Sequence, residues 1–201
     1  MAIADVPAVA DLERRVFPLP WSAHAFEHEL RHNPMAYFVV VRPWNAGMDQ
    51  EESTSLPREA KSGPEQAVSA QAVLGYGGFW FIVDEAHICT LAVDPNWRGW
   101  GLGELLLVHL IDHARVIGAS VVTLEVRASN LVAQSLYGKY GFVRTGLRHK
   151  YYTDNHEDAI IMTTGPIASA AFQRRFQTLT ASLRQRLAAE NRRIQATGAE
   201  W

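Results

Sequence analysis

Cysteine is scarce in this sequence, and its scarcity excludes several classes of protein. Among 201 residues there is one cysteine, Cys89. A single cysteine cannot form an intramolecular disulfide or a zinc site built from several thiolates. We therefore expect a chain that folds in a reducing, cytoplasmic setting, with Cys89 as a small core residue and not as a nucleophile.

Long hydrophobic runs and metal-binding motifs are also lacking. The longest apolar stretches, such as 73–83, are shorter than the roughly 18 residues needed to cross a bilayer. The first fifteen residues include acidic side chains and no basic segment ahead of an apolar run, which is atypical of a signal peptide. The eight histidines show no H-E-x-x-H or comparable spacing. We expect neither a membrane segment nor a metal.

The chain has little net charge, but the charge is unevenly distributed. Its 19 basic and 21 acidic side chains give a formal charge of −2, which does not suggest direct DNA binding. Residues 165–201 nevertheless carry six arginines against two glutamates, whereas residues 1–164 are acidic. The sequence therefore predicts one domain over 1–164 and a basic extension over 165–201.

The spacing of apolar residues predicts an alternation of helices and strands. Helices are expected over 6–17, from a Ser22 cap to Asn33, over 101–118 and over 131–140. Strands are expected over 37–41, 73–83, 87–93, 121–126, 142–150 and 158–163. This order predicts an α/β fold with a mixed sheet and helices packed on its faces. Residues 43–72, rich in proline, glycine and serine, are expected to form a long flexible loop, either as a tolerated insertion or with a binding role.

The basic extension has the pattern of one amphipathic helix. Its apolar positions follow helical spacing and comprise Phe172, Phe176, Leu179, Leu183, Leu187 and Ile194. The basic face could contact RNA, the ribosome or another acidic partner, or it could be solvated while the apolar face packs on the core.

The most informative segment is 91–103, LAVDPNWRGWGLG, in which a buried strand leads through a glycine-rich turn into a helix. Glycine lets backbone N–H groups converge on an anion, and the helix N-terminus adds its positive dipole end. A P-loop is excluded because Glu104, and not a lysine, follows Gly103. A dinucleotide-binding fingerprint is the weaker interpretation, although Glu125 lies near the expected position, because a hairpin precedes the turn.

The spacing Arg98-x-x-Gly101-x-Gly103 resembles the acyl-CoA pyrophosphate loop of the GNAT superfamily of N-acetyltransferases. Further segments resemble its RimI-type branch, the ribosomal-protein alanine acetyltransferases: 20–22 (PWS), 124–130 (LEVRASN), 135–142 (SLYGKYGF) and 151–162 (YYTDNHEDAIIM). The resemblance covers about residues 5–163 apart from the loop. It implies the GNAT fold, with splayed central strands and helices on both faces, followed here by the C-terminal helix.

The resemblance also implies acetyl-CoA as the cosubstrate, with no metal. The pantetheine arm would pair with the main chain of Leu91, Ala92 and Val93, and Asn130 would contact it further, unless Asn130 only caps a helix. The pyrophosphate would be held by the turn: Arg98, Gly99, Trp100, Gly101, Leu102, Gly103 and Glu104.

Two residues match the catalytic residues of this family. Glu125 matches the general base, acting through water, and its position on an apolar strand predicts a raised pKa. The alternatives are a Glu125 that pairs with Arg127 and a Glu125 that points outward at the end of its strand. Tyr137 matches the general acid that protonates the leaving thiolate, a role compatible with core packing.

The implied substrate is a protein N-terminus, most specifically the N-terminal alanine of a ribosomal protein. Trp21, Tyr151 and Tyr152 would flank the peptide entrance. A small-molecule amine acetyltransferase and a non-catalytic acyl-CoA-binding module associated with the ribosome are the competing hypotheses. The family's first strand normally precedes the helix that begins near Val6, and only residues 1–4 are available for it here.

Overall fold

A computed structural model of the chain describes residues 1–43, 72–189 and 194–197. The loop expected over 43–72 lies outside the described residues, except for its two end positions.

Five helices and seven strands make up the described residues. The helices are α1 (Val6–Val16), α2 (Ala23–His32), α3 (Leu102–Val116), α4 (Leu131–Lys139) and α5 (Ala170–Ala189); the strands are β1 (Ala36–Pro43), β2 (Gly75–Ile82), β3 (Glu85–Val93), β4 (Val121–Arg127), β5 (Phe142–Tyr152), β6 (Glu157–Thr164) and β7 (Ile194–Thr197). Ser22 caps α2 as predicted, because its hydroxyl accepts a hydrogen bond from the Ala25 N–H at 3.1 Å. Every predicted helix and strand of residues 6–164 is present, with ends shifted by a few residues.

The strands form a single mixed sheet in the order β5-β6-β4-β3-β2-β1-β7. Strands β3 and β4 are parallel, and the other neighbouring pairs are antiparallel. Alternate residues of β1 enter two different hydrophobic clusters: Val39 and Val41 pack with α3, whereas Phe38 and Val40 pack with α1 and α2. Because successive side chains of a strand point to opposite faces, helices cover both faces of the sheet, as predicted.

The two central strands separate partway along their length. Pairing between β3 and β4 covers only Glu85–Ile88 and Val121–Leu124. Beyond this point, β3 continues to pair with β2, and β4 continues to pair with β6. The predicted splay of the central strands is therefore confirmed, and it opens a gap in the middle of the sheet.

The C-terminal extension differs from its prediction at its end and agrees with one of the predicted alternatives in its packing. Helix α5 is present, but Ile194 does not continue it, since residues 194–197 form β7 and pair antiparallel with β1. The exposed edge of β1 offers unpaired backbone groups, which a strand can satisfy and a longer helix cannot. The apolar face of the extension packs on the core, which was one of the predicted alternatives: Ile167, Phe176 and Leu183 are buried in the cluster that contains α3.

The beginning of the chain supplies no strand for the sheet. Residues Ile3–Asp5 form a single 3-10 turn that leads directly into α1, and within residues 1–43 the first strand is β1. No helix within the described ranges is long and apolar enough to cross a membrane.

Candidate active site

The gap between β3 and β4 opens into a cavity of about 540 Å³, which we call the central cleft. Its walls come from the diverging ends of the two strands, from α4 and from the segment that joins α1 to α2. Candidate residues from distant parts of the sequence meet here: Trp21, Leu91, Glu125, Asn130, Tyr137, Tyr151 and Tyr152. The fold therefore brings both predicted catalytic residues and all three predicted substrate residues to one cleft.

The carboxylate of Glu125 is held by two basic side chains. Its Oε2 accepts a hydrogen bond from His87 Nε2 at 2.5 Å, and Arg148 Nε lies 3.0 Å from Oε1. The side chain is 10% exposed. Arg127, the alternative partner considered for Glu125, instead binds Asp154 and Glu157.

The expectation of a raised pKa at Glu125 is wrong. The hydrogen bond from His87 outweighs the effect of burial and, with the charges of His87 and Arg148, holds the pKa of this carboxyl below its ordinary value. Glu125 is consequently ionised at neutral pH. Both of its oxygens are engaged: Oε2 accepts the hydrogen bond from His87, and Oε1 pairs with Arg148. A proton that moves from the cleft to Glu125 would therefore reach a carboxylate that already has two partners.

Tyr137 and Asn130 lie on α4 at the wall of the cleft. Tyr137 is 8% exposed and packs with its ring centroid 5.6 Å from that of Phe142. Burial raises the pKa of its phenol to about 12, which keeps the hydroxyl protonated. Asn130 caps α4 by accepting a hydrogen bond from the Ala133 N–H at 3.1 Å. Both residues therefore have structural roles in addition to bordering the cleft.

The glycine-rich turn has the backbone geometry of an anion-binding site. Gly99 and Gly101 adopt positive φ values of 78° and 80°, which favour glycine, and Gly101 is the N-cap of α3. The first amides of α3 have no acceptor within the helix. At Gly103, a Cβ would lie 3.7 Å from Val93 Cγ2, an ordinary contact. Internal packing does not require glycine at this helical position, so the approach of a ligand is a better explanation.

The side chains of the turn point to different environments. Arg98 is exposed, whereas Trp100 is partly buried with its ring 5.2 Å from that of Trp97. Glu104 is buried, and its carboxylate accepts hydrogen bonds from Lys139 (2.5 Å), Tyr140 (2.6 Å) and Arg186 of α5 (2.6 Å). These bonds outweigh burial and lower the pKa of Glu104. Only the backbone of Glu104 is consequently available to a ligand at the turn.

Aromatic and basic residues form the outer wall of the cleft. Trp21 stacks on Trp80 with a centroid distance of 5.9 Å. The guanidinium of Arg127 lies 3.9 Å from the centre of the Tyr152 ring, and that of Arg148 lies 5.5 Å from the Tyr151 ring. These contacts fix the three predicted substrate residues in a wall that could border an extended peptide.

Sequence reasoning missed four polar residues of the cleft: Glu13, His87, Thr90 and Arg148. A signal existed for Glu13, because residues 6, 9 and 13 share one face of α1 and a carboxylate on an apolar helix face is unusual. His87 and Arg148 have ordinary strand positions and approach Glu125 only through the tertiary fold. Cys89, predicted to be a core residue, is partly buried against the cluster of α1 and α2 and also lines the cleft, and burial raises the pKa of its thiol to about 12.

Among the side chains of the described ranges, no cluster of three or more histidine, cysteine or carboxylate residues could hold a metal ion.

Comparisons with known proteins connect the sequence and the fold to one family. The sequence model of the Acetyltransferase (GNAT) family matches residues 6–142. The [ribosomal protein bS18]-alanine N-acetyltransferase of Escherichia coli K12 is 34% identical over 160 residues, which is 79% of this chain and 89% of that protein. The N-alpha-acetyltransferase RimI of Mycobacterium tuberculosis is 33% identical over 165 residues, 79% of this chain and 85% of that protein.

A solved structure agrees with these sequence relationships. The crystal structure of the ribosomal-protein-S18-alanine N-acetyltransferase from Escherichia coli superposes with a TM-score of 0.64 at 31% identity. The match covers 85% of this chain and 92% of that one.

Proposed function

Because the chain belongs to the Acetyltransferase (GNAT) family and is an acetyltransferase, we propose that it acetylates the N-terminal amine of a protein, with acetyl-CoA as donor. The observation that carries this proposal is the central cleft, where Glu125 and Tyr137 lie beside the diverging strand β3, which leads into the glycine-rich turn. Amide formation from an amine and a thioester needs a proton acceptor and a proton donor, roles that a carboxylate and a buried phenol can fill.

The turn and the free edge of β3 fit the proposed donor. The amides of residues 99–104 would hold the pyrophosphate, and the main chain of residues 91–93, which β4 does not cover, would pair with the pantetheine arm. A backbone N–H of this edge would polarise the thioester carbonyl. When bound, acetyl-CoA supplies an acetyl group on a thiolate leaving group.

Proton balance defines the roles of Glu125 and Tyr137. A substrate ammonium loses two protons in becoming an amide, and the CoA thiolate gains one, so one proton is released overall. Glu125, whose carboxylate accepts a hydrogen bond from His87, receives the first proton of the ammonium by way of a water molecule. Tyr137 donates its proton to the departing sulfur and recovers one from the nitrogen, since the raised pKa of the phenol keeps it protonated between turnovers.

The substrate class follows from the cleft wall and from the relatives. Trp21, Tyr151 and Tyr152 border an opening suited to an extended peptide. Relatives that match about four fifths of this chain at about 34% identity are named for the alanine of ribosomal protein bS18. We propose the N-terminal alanine of this ribosomal protein as the substrate, and hence a cytoplasmic enzyme.

The positive charge of the extension is used in part for contacts within the protein. Arg175 donates hydrogen bonds to the backbone carbonyls of Gly138 and Lys139, and Arg186 binds Glu104. At least two of the four arginines of α5 therefore bind the catalytic domain itself. Docking of the ribosome through this helix is not needed to explain them.

A substrate panel tests the proposal directly. CoA release is measured with a peptide of the bS18 N-terminus beginning with alanine, with the same peptide acetylated in advance, and with spermidine. We expect turnover of the free peptide alone. Turnover of spermidine without turnover of the peptide would instead identify a small-molecule acetyltransferase, and binding of acetyl-CoA without any turnover would indicate a non-catalytic module.

Conservative substitutions test the two proton-transfer roles. We expect Glu125→Gln to lower kcat by about 10²–10⁴ with a nearly unchanged KM for acetyl-CoA, because the amide cannot accept the proton. Tyr137→Phe should also lower kcat while leaving the fold intact. Glu85→Gln, an exposed change at the start of β3, serves as the matched control. A Glu125→Gln enzyme with the parental rate and pH profile would refute the role of Glu125.

A further inference from the structure

The central cleft contains a second carboxylate that the proton-transfer scheme does not use. Glu13 lies on α1, is only 3% exposed and lines the cleft. Its Oε1 accepts a hydrogen bond from the Trp21 N–H at 3.1 Å, whereas Oε2 is buried without a hydrogen-bond partner in the described structure. A buried carboxylate oxygen with no partner is costly, so its retention needs a reason.

A second unpartnered polar atom borders the same cavity. Thr90 is 9% exposed, lies on β3 immediately before the edge proposed to hold the donor, and lines the cleft. Its Oγ1 is also buried without a hydrogen-bond partner among the described residues. Two such atoms border one cavity, where a single polar ligand could satisfy both of them.

The charges around the cleft indicate the sign of that ligand. The basic side chains near Glu125 are His87 and Arg148, and both lie within hydrogen-bonding or ion-pairing distance of its carboxylate. Within the described residues, no salt bridge joins a cation to Glu13: its carboxylate accepts the hydrogen bond from the Trp21 amide and acts electrostatically on Cys89, which lines the same cleft. A positively charged hydrogen-bond donor would complete this site by satisfying Oε2 and stabilising the ionised carboxylate.

We propose that Glu13 and Thr90 form a subsite that binds the N-terminal ammonium of the substrate peptide as it enters the central cleft. This inference rests on the proposed function and adds the residues that recognise the amine. The ammonium donates one hydrogen bond to Glu13 Oε2 and another to Thr90 Oγ1, and its third N–H remains directed toward the cleft. Glu13 is here a specificity-determining residue, distinct from the proton acceptor Glu125.

Burial of Glu13 raises the pKa of its carboxyl to about 7, which agrees with a site completed by a cation. An approaching ammonium stabilises the ionised carboxylate and is itself held close to the thioester. A peptide without the amine leaves both polar atoms unsatisfied, so the subsite discriminates against it.

Kinetics of the isosteric variants Glu13→Gln and Thr90→Val test the subsite. We expect Glu13→Gln to raise the KM for an alanine-initiated peptide at least tenfold, while the KM for acetyl-CoA stays within twofold of the parent. Thr90→Val should raise the peptide KM by a smaller factor. Glu85→Gln, which removes an exposed carboxylate from the same strand as Thr90, should behave as the parent.

Binding of a peptide that lacks the amine separates recognition from stability. The dissociation constants of the alanine peptide and of its desamino analogue, which begins with a propionyl group, are measured on the CoA complex by calorimetry. The parent should prefer the free amine at least tenfold, and Glu13→Gln should reduce this preference to less than threefold. A purely structural Glu13 would change the melting temperature and leave the preference unchanged.

The outcomes distinguish this inference from the proposed function. If the parent acetylates the peptide and Glu13→Gln retains the parental peptide KM and amine preference, the subsite is refuted and the proposed function stands. If the parent acetylates no peptide, the proposed function fails first. Should Glu13→Gln not fold, Thr90→Val decides the question, since an unchanged peptide KM and amine preference in that variant would refute the subsite.

Discussion

Two carboxylates of the central cleft, Glu13 and Glu125, have opposite electrostatic environments. Burial without a cation raises the pKa of Glu13 to about 7. The hydrogen bond from His87 and the charge of Arg148 lower the pKa of Glu125. Environments that separate the pKa values of two neighbouring carboxyls commonly assign them different roles. Here Glu125 stays ionised beside the proposed reaction centre, and Glu13 becomes ionised most readily when a cation arrives.

The raised pKa of Glu13 predicts a pH dependence of stability. The folded state holds this proton more tightly than the unfolded state, where the carboxyl has its ordinary value of 4.5. The stabilisation is therefore complete below pH 4.5 and is lost as the pH rises through about 7. Relative to Glu13→Gln, the parent should lose about 2–3 kcal/mol of unfolding free energy between pH 5 and pH 8.

Urea unfolding of both proteins at several pH values measures this difference directly. Comparison with Glu13→Gln cancels the contributions of other carboxyls, including Glu125 and Glu104, whose lowered pKa values stabilise the fold at higher pH. Glu85→Gln should run parallel to the parent. Parallel curves for the parent and Glu13→Gln would show that the pKa of Glu13 is not raised.

At the scale of single elements, α5 is attached to the glycine-rich turn. Side-chain atoms of Leu183 and Leu187 lie 3.6 and 3.5 Å from the position that a Cβ of Gly101 would occupy. Arg186 binds Glu104 in the first turn of α3, where Lys139 and Tyr140 also converge. Helix α5 thus buttresses the backbone that we propose to hold the pyrophosphate.

We expect Arg186→Gln to weaken the binding of acetyl-CoA. The substitution removes one of the positive charges that balance Glu104, so the negative charge beside the proposed pyrophosphate site is less well compensated. The KM for acetyl-CoA should therefore rise about three- to tenfold, which corresponds to about 0.7–1.4 kcal/mol. The effect should shrink at high salt, because Arg186 is half exposed. Arg174→Gln, an exposed change on the same helix, is the control. A lower melting temperature with an unchanged KM would limit Arg186 to a structural role.

Sequence reasoning predicted local elements well and contacts between distant elements poorly. The β3-turn-α3 segment could be predicted because Gly99, Gly101 and the apolar face of α3 lie within twenty residues. The cluster on Glu104 joins α3, α4 and α5, and no local spacing encodes it. No local spacing encodes the contact of His87 with Glu125 either. This contact lowers the pKa of Glu125, which burial alone would have raised. Resemblance to a family located Glu125, but the partners that set its charge came from the fold.

At the scale of the whole molecule, the C-terminal extension completes both the sheet and the core. Strand β7 pairs with the outer edge of β1, where a sheet edge would otherwise present unpaired backbone groups. The extension looked separate because its charge differs from that of residues 1–164. Charge composition reports the surface of a segment, whereas its apolar face decides where it packs, and that face is buried against α3.

Two truncations test whether the catalytic domain folds without this extension. Deletion of residues 166–201 removes the buried side chains Ile167, Phe176 and Leu183, each contributing about 1.5–3 kcal/mol, a sum comparable to the 5–15 kcal/mol of a typical domain. We expect this variant to be unfolded or aggregated, because the face of α3 that α5 covers becomes exposed. Deletion of residues 190–201 removes β7 but keeps α5, and should leave a folded, active enzyme with a lower melting temperature. If the longer deletion instead kept the parental melting temperature and peptide turnover, residues 1–165 would be an autonomous domain and α5 would be dispensable to its core.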